Sequence, residues 1–228
     1  MNRAADHGHL EVVQWLHDDC LQGCTTDAMD LAARNGHLET VKWLHASRSE
    51  GCTTNAMDKA AGSGHLHVVK WLHEHRSEGC TTDAMDRAAG GGHFELLKWL
   101  RENRLEGCTD RAASKAAAYG DLDIVKWLHI HQAKFTEGAT YGAAGGGHLR
   151  VLRWLFENRK EEFTANAIQD ALDNAHFEAV LIFHNIAQKG LAQGIEAMDD
   201  EAQPEQSVTS ISNYYHDIAW RLLTPVEL

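Results

Sequence analysis

Sixteen histidines and five cysteines in 228 residues are the raw material of a zinc site or of thiol chemistry, since imidazole and thiolate serve both as metal ligands and as nucleophiles. Their spacing argues against both uses. His9, His37, His65, His93, His148 and His176 recur as one column, and His17, His45, His73 and His129 as another. Packed helices lie about 8–10 Å apart, whereas zinc requires nitrogens at about 2.0–2.1 Å, so members of one column are not placed to share an ion. His73/His75 and His129/His131 are i,i+2 pairs and diverge on a helix. No metal and no cofactor are expected, and the first column is read as hydrogen bonding at helix starts.

Cys24, Cys52, Cys80 and Cys108 occupy one recurring position, which Phe135 and Phe163 take later. A position that accepts phenylalanine is a packing position, so these are read as reduced core thiols, consistent with a reducing compartment. Cys20 stands instead where Arg48, Arg76, Arg104 and Arg159 stand and is expected to be an exposed free thiol. No Gly-x-Ser-x-Gly elbow and no phosphate-binding glycine loop occur. Gly90-Gly91-Gly92 and Gly145-Gly146-Gly147 fall in turns of the repeating pattern. A catalytic group is needed once, so periodic residues are poor candidates, and no enzyme is expected.

The period itself is the main fact. Gly8, Gly36, Gly64, Gly92, Gly120 and Gly147, with Ala175 in the same slot, are spaced 28, 28, 28, 28, 27 and 28 residues apart. Trp15, Trp43, Trp71, Trp99, Trp127 and Trp154 keep the same period. Such regularity means stacked supersecondary units. Within a unit, Asp27, Asn55, Asp83 and Asn166 precede a short helix whose first N–H groups their side chains can cap, with Asp110 one place earlier in its own unit. Ala-Ala pairs such as Ala60-Ala61 let a neighbouring helix approach closely, and the glycine of Gly-His ends the helix. A second, longer helix follows with an apolar stripe, for example Leu38, Val41, Trp43 and Leu44. It is expected to end at Gly51, Gly79 and Gly107 in a left-handed C′ position. The tryptophans are expected to be buried. Helices of roughly 8 and 13 residues are marginal alone, so stability must come from neighbouring units.

Prolines occur only at Pro204 and Pro225, and strand signals are thin, so the fold class is all-α. The longest apolar runs are four or five residues, too short for a membrane span. A net charge of −12 argues against nucleic acid as a partner. Residues 191–228 carry seven carboxylates against Arg221 alone, net −6, which marks a boundary near residue 190. The expected organisation is a repeat array over 1–190, an acidic linker over 191–209 and an amphipathic C-terminal helix over 210–228. That helix either caps the stack or docks in a partner's groove. Met1-Asn2-Arg3-Ala4-Ala5 matches Met29-Asp30-Leu31-Ala32-Ala33, so the chain is expected to open inside a first, incomplete unit.

The Ala-Ala-x-x-Gly-His-Leu-Glu-Val-Val core, seen from Ala4 to Val13 and from Ala32 to Val41, resembles the ankyrin repeat, and the resemblance extends over about residues 1–190. Two departures matter. The family's Thr-Pro-Leu-His opening is replaced by Asp27-Ala28-Met29-Asp30 and its equivalents, and the period falls short of the usual ~33 residues. The loss falls where the family builds a β-hairpin finger, so a fingerless α-solenoid of about seven helix-turn-helix units is expected.

Function is then sought where the units differ. On the first helix one column reads Arg3, Leu31, Lys59, Arg87, Lys115, Gly142, Asp170, and three places on another reads Asp6, Arg34, Gly62, Gly90, Ala118, Gly145, Asp173. The resemblance places first helices on the concave surface. Variation there suits a partner-specific face, though unconstrained drift would also produce it. The candidate protein-binding residues are Leu31, Arg34, Asp58, Lys59, Asp86, Arg87, Lys115, Tyr119 and Tyr141. The expected function is a monomeric interaction scaffold inside the cell, in the cytoplasm with the nucleus open. The alternative is a structural spacer within a longer array, with no partner of its own.

Overall fold

The computed structural model describes residues 1–20, 23–159 and 165–196, side chains of 165 and 187–196 excepted. These residues form fourteen α-helices in seven pairs: α1 Asn2–Asp6, α2 Leu10–Asp18, α3 Asp27–Arg34, α4 Leu38–Ser47, α5 Thr54–Gly62, α6 Leu66–His75, α7 Thr82–Gly90, α8 Phe94–Asn103, α9 Asp110–Ala118, α10 Leu122–Ile130, α11 Glu137–Gly145, α12 Leu149–Arg159, α13 Ala165–Asp173 and α14 Phe177–Glu196. No strand occurs among the described residues. The chain is an all-α solenoid, and among the described residues no finger of strands separates its units.

The first helices α3, α5, α7, α9 and α11 start on a threonine, not on the Asp or Asn that the sequence suggests. The hydroxyls of Thr53, Thr81 and Thr109 accept from the N–H groups of Asn55, Asp83 and Arg111, each at 3.1 Å. Asp and Asn at those places already lie inside the helix. The Gly-His turn follows a different logic. Gly36 adopts φ 78°, open to glycine at low cost, and the N–H of His37 reaches back to the carbonyl of Ala32 at 2.9 Å. The histidine heads the second helix but does not cap it with its ring. Instead the ring lies on the glycine of the preceding unit: a Cβ on Gly36 would sit 2.6 Å from Nδ1 of His65. In the same column Nε2 of His93 donates to the carbonyl of Gly62 at 3.1 Å and that of His148 to Ala118 at 2.9 Å. The column therefore joins units; it does not start helices.

The second helices are shorter than expected. α4, α6 and α8 stop at Ser47, His75 and Asn103, after which Arg48, Arg76 and Arg104 are extended near φ −130°. Gly51, Gly79 and Gly107 do take left-handed φ of 70–72°, but in the loop beyond the helix end. The guanidinium explains the early stop. Arg76 pairs with Glu78, donates from Nη1 to Nδ1 of His45 in the preceding unit at 3.2 Å, and crosses Gly51, where a Cβ would lie 2.6 Å from Nη2. Arg48/His17 and Arg104/His73 repeat the contact at 3.0 and 3.4 Å.

First helices pack directly on first helices from α1 to α13, through Ala32, Ala33, Ala60, Ala61, Ala88, Ala89, Ala116 and Ala117, all fully buried. Second helices, which carry tryptophan and leucine, touch one another more sparsely. Small residues on one side and large ones on the other make each unit a wedge, and the first helices take the concave side. Burial is supplied by neighbours: Val12 is 44% exposed, whereas its equivalents Val68, Ile124 and Val151 are 0% exposed. The tryptophans are not buried as expected. Trp15 is 55% exposed, and Trp43, Trp71, Trp99, Trp127 and Trp154 are half-buried on the core. His17, His45 and His73 meet the next unit's indole edge-on at 5.3–5.4 Å.

α14 runs on to Glu196, through the boundary expected at 190. The first six residues of the acidic linker expected over 191–209 are therefore helical, and its remainder and the helix expected over 210–228 lie outside the described residues. No helix among the described residues is long and apolar enough to cross a membrane.

Candidate binding groove on the first-helix face

The variable columns meet in one open cavity of about 330 Å³ on the concave side, lined by Arg34, Lys59, Arg87, Lys115 and Tyr119 with Gly62, Ser63, Gly90 and Gly91 between them. α3, α5, α7 and α9 each supply one cation, so four consecutive units contribute. Tyr119, the residue that ends α9, stands 72% exposed at one end.

Glycine makes the floor, and its role is steric. A Cβ on Gly62 would lie 2.9 Å from Cβ of Arg87, and one on Gly90 would lie 3.0 Å from Cβ and Cδ of Lys115. Each cationic stem therefore rests on the bare backbone of the preceding unit. Alanine at either glycine would push it outward. The sequence shows this pairing in its columns, glycine in one unit against a cation in the next, but the contact between them needs the stacking geometry.

Four cations line the groove, and two carboxylates stand beside it. Asp83 accepts from Nε and Nη2 of Arg87 at 3.1 and 2.9 Å and from Nη1 of Arg111 at 3.3 Å. The hydrogen bond from Arg87, more than the surrounding cations, holds the Asp83 carboxyl below the ordinary range. Asp6 approaches Arg34 at 3.6 Å and also accepts from Nδ2 of Asn35 at 2.7 Å. Among the described residues neither Lys59 nor Lys115 has a carboxylate within ion-pair reach. The groove is thus cationic in a chain whose net charge is −12.

Four of the candidate residues lie elsewhere. Asp58 and Asp86 are buried, so they present nothing to a partner. Asp58 accepts the N–H of Thr81 at 2.8 Å and its hydroxyl at 2.7 Å, and Asp86 does the same for Thr109 at 2.8 and 2.6 Å. Each clamps the start of the next first helix. Tyr141 packs against the core, half-buried, and Leu31, also half-buried, lies outside the cavity lining. Ser63 and the three glycines were not among the candidates, because a search for variable charged columns passes over small residues.

The cysteine column packs on the core, but only two of its four thiols are buried as expected. Cys52 and Cys80 are 8% exposed, and burial, before the nearby Glu78 and Glu106 carboxylates, pushes their thiols up to about 11. Cys24 and Cys108 are half-buried and Cys20 is exposed.

A family model described as ankyrin repeats in many copies matches residues 1–45, 57–101 and 85–129, together just over half of the chain. No curated protein matches it.

Proposed function

Because this chain belongs to the ankyrin-repeat family, whose repeats serve in general as protein–protein interaction modules, we propose that it binds a protein partner through the groove of Arg34, Lys59, Arg87, Lys115 and Tyr119. Ankyrin-repeat proteins are typically non-enzymatic scaffolds, and the groove suits that role. The observation that carries the reading is the coincidence of two properties at one place. The columns in which the units differ converge on the concave cavity, while the columns in which they agree are spent on packing and on joining units. An exposed aromatic beside unpaired cations is also the usual composition of an interface anchor.

Affinity capture with matched variants tests this. Lys59→Glu with Arg87→Glu should remove a partner that wild-type chain retains, with an unchanged thermal melt. Lys42→Glu with Lys98→Glu should leave it in place, since those lysines pair with Glu39 and Glu95 on the second helices at 2.8 and 2.6 Å. If every captured protein survives the inner pair of substitutions, the spacer reading is the correct one.

A further inference from the structure

We propose that the groove takes an extended, acidic segment of the partner, with a carboxylate at every third residue. The inference rests on the protein-binding reading above and adds the chemistry of what is bound.

Spacing is the first argument. Lys59, Arg87 and Lys115 hold the same helix position in three consecutive units, so along the stack they are separated by one helix-packing distance, about 8–10 Å. A polyproline-II segment advances about 9 Å in three residues and returns each third side chain to the same side. A β-strand does not offer that match, because its third residue points to the opposite face. An α-helix brings side chains back at about 5 Å per turn, so only every second turn would meet a cation.

Charge is the second argument. Like charges repeated along a stack repel one another, and the local carboxylates answer two of the four: Asp6 faces Arg34 and Asp83 faces Arg87. Lys115 lies in the field of Asp83 without pairing with it, so among the described residues Lys59 and Lys115 are the two of these cations without an ion pair and are left for a ligand. Arg87 spends Nε and Nη2 on Asp83, and among the described residues Nη1 makes no hydrogen bond. The glycine floor keeps the stems of Arg87 and Lys115 laid along the groove, so the cationic heads are held in register with the repeat. A cationic strip on an acidic chain also steers an acidic ligand to that strip and away from the rest of the surface. Exposed Tyr119 offers a ring face to an apolar or proline residue at the end of the segment.

The test uses the full chain and a fluorescein-labelled peptide of four Glu-Pro-Ala triplets, read by fluorescence anisotropy. Saturable binding is expected, weakened about tenfold when salt rises from about 0.05 to 0.3 M. Lys59→Gln with Lys115→Gln should weaken it at least about tenfold, with an unchanged melt, and Lys42→Gln with Lys98→Gln should not. Equal binding of a peptide with the same composition but its glutamates in one block overturns the spacing. Tighter binding of a helical peptide with glutamate at every seventh residue overturns the extended conformation. Displacement by polyuridylate at lower concentration than by the peptide means that the groove takes nucleic acid, and no binding of any peptide also overturns the inference. If the peptide fails while a captured protein still depends on Lys59 and Arg87, this inference falls and the protein-binding reading stands. If no captured protein depends on them, both fall.

Discussion

Asp58, buried on α5, holds both the N–H and the hydroxyl of Thr81, the residue that starts α7 in the next unit. The same clamp joins Asp30 to Thr53 and Asp86 to Thr109, and Asn2 to Thr25 in the first unit. Thr53, Thr81 and Thr109 in turn cap their helices, so in these three units one carboxylate orients the threonine that starts the next inner helix. Burial raises the Asp58 carboxyl, and the two bonds from Thr81 oppose that rise.

Asp58→Ala strands the Thr81 N–H and loosens the cap of α7. Hydrogen bonds to a charged group contribute about 1.5–3 kcal/mol, so a loss of about 2–3 kcal/mol in a urea melt is expected. Asp58→Asn should cost under about 1 kcal/mol, because Asn2 already accepts from the N–H and donates to the hydroxyl of Thr25. Equal losses in the two variants would mean that charge, and not the pair of bonds, is what the position supplies.

Trp71 has units on both sides and meets His45 edge-on at 5.3 Å, with His75 stacked on its face at 4.5 Å. It is half-buried, so Trp71→Ala should cost about 2–3 kcal/mol, below the full cost of a core tryptophan. Trp15, already 55% exposed, should cost under about 1 kcal/mol. Equilibrium denaturation of both variants decides whether stability is summed from neighbours in this way. Equal losses would contradict it.

Cys20 should label with a thiol reagent within the mixing time in the native state, while Cys52 and Cys80 label on unfolding. Mass spectrometry after a brief pulse reads the difference. The raised thiols also set an alkaline limit. Their folded value of about 11 exceeds the ordinary 9.0, so the unfolded chain loses its protons first and stability falls as pH climbs through that window. Cys52→Ala with Cys80→Ala should flatten the fall, and an unchanged slope would show that the thiols do not cause it.

At the acid end, the hydrogen bond from Arg48 is the main force holding the Glu50 carboxyl at about 2, against an ordinary 4.5. A depressed value of this kind adds stability above the ordinary range, which is lost as pH falls toward about 2. Carbon NMR of the glutamate carboxyls should therefore show Glu50 still ionised at about pH 3, and Arg48→Gln should return it to the ordinary range. Ordinary titration in wild-type chain would refute the pairing.

The stacking was legible because it is written in repetition: Gly8 to Ala175 fixes the units, the Ala-Ala pairs mark the close face, and Phe135 in the cysteine column marks that column as packing. What stayed hidden are contacts between units. Asp58 and Thr81 are 23 residues apart, an offset that no within-helix rule connects, so in the sequence a buried clamp has the look of surface charge. The His65 column looked like helix caps for the same reason, since its partner is a glycine of the preceding unit. Of the groove, Arg34, Lys59, Arg87 and Lys115 could be picked out by their variation among units. The glycine floor beneath Arg87 and Lys115 could not, since it exists only once one unit is laid on the next.

The central claim is that the face on which the units differ is the face that binds. Photo-cross-linking tests it most directly, with benzoylphenylalanine placed singly at Ser63 and Tyr119, both exposed beside the groove, and at Lys70 and Lys126, exposed on α6 and α10. With a captured partner present, adducts from Ser63 and Tyr119 and none from Lys70 or Lys126 are predicted. Adducts from Lys70 or Lys126, with Ser63 and Tyr119 silent, would contradict the account.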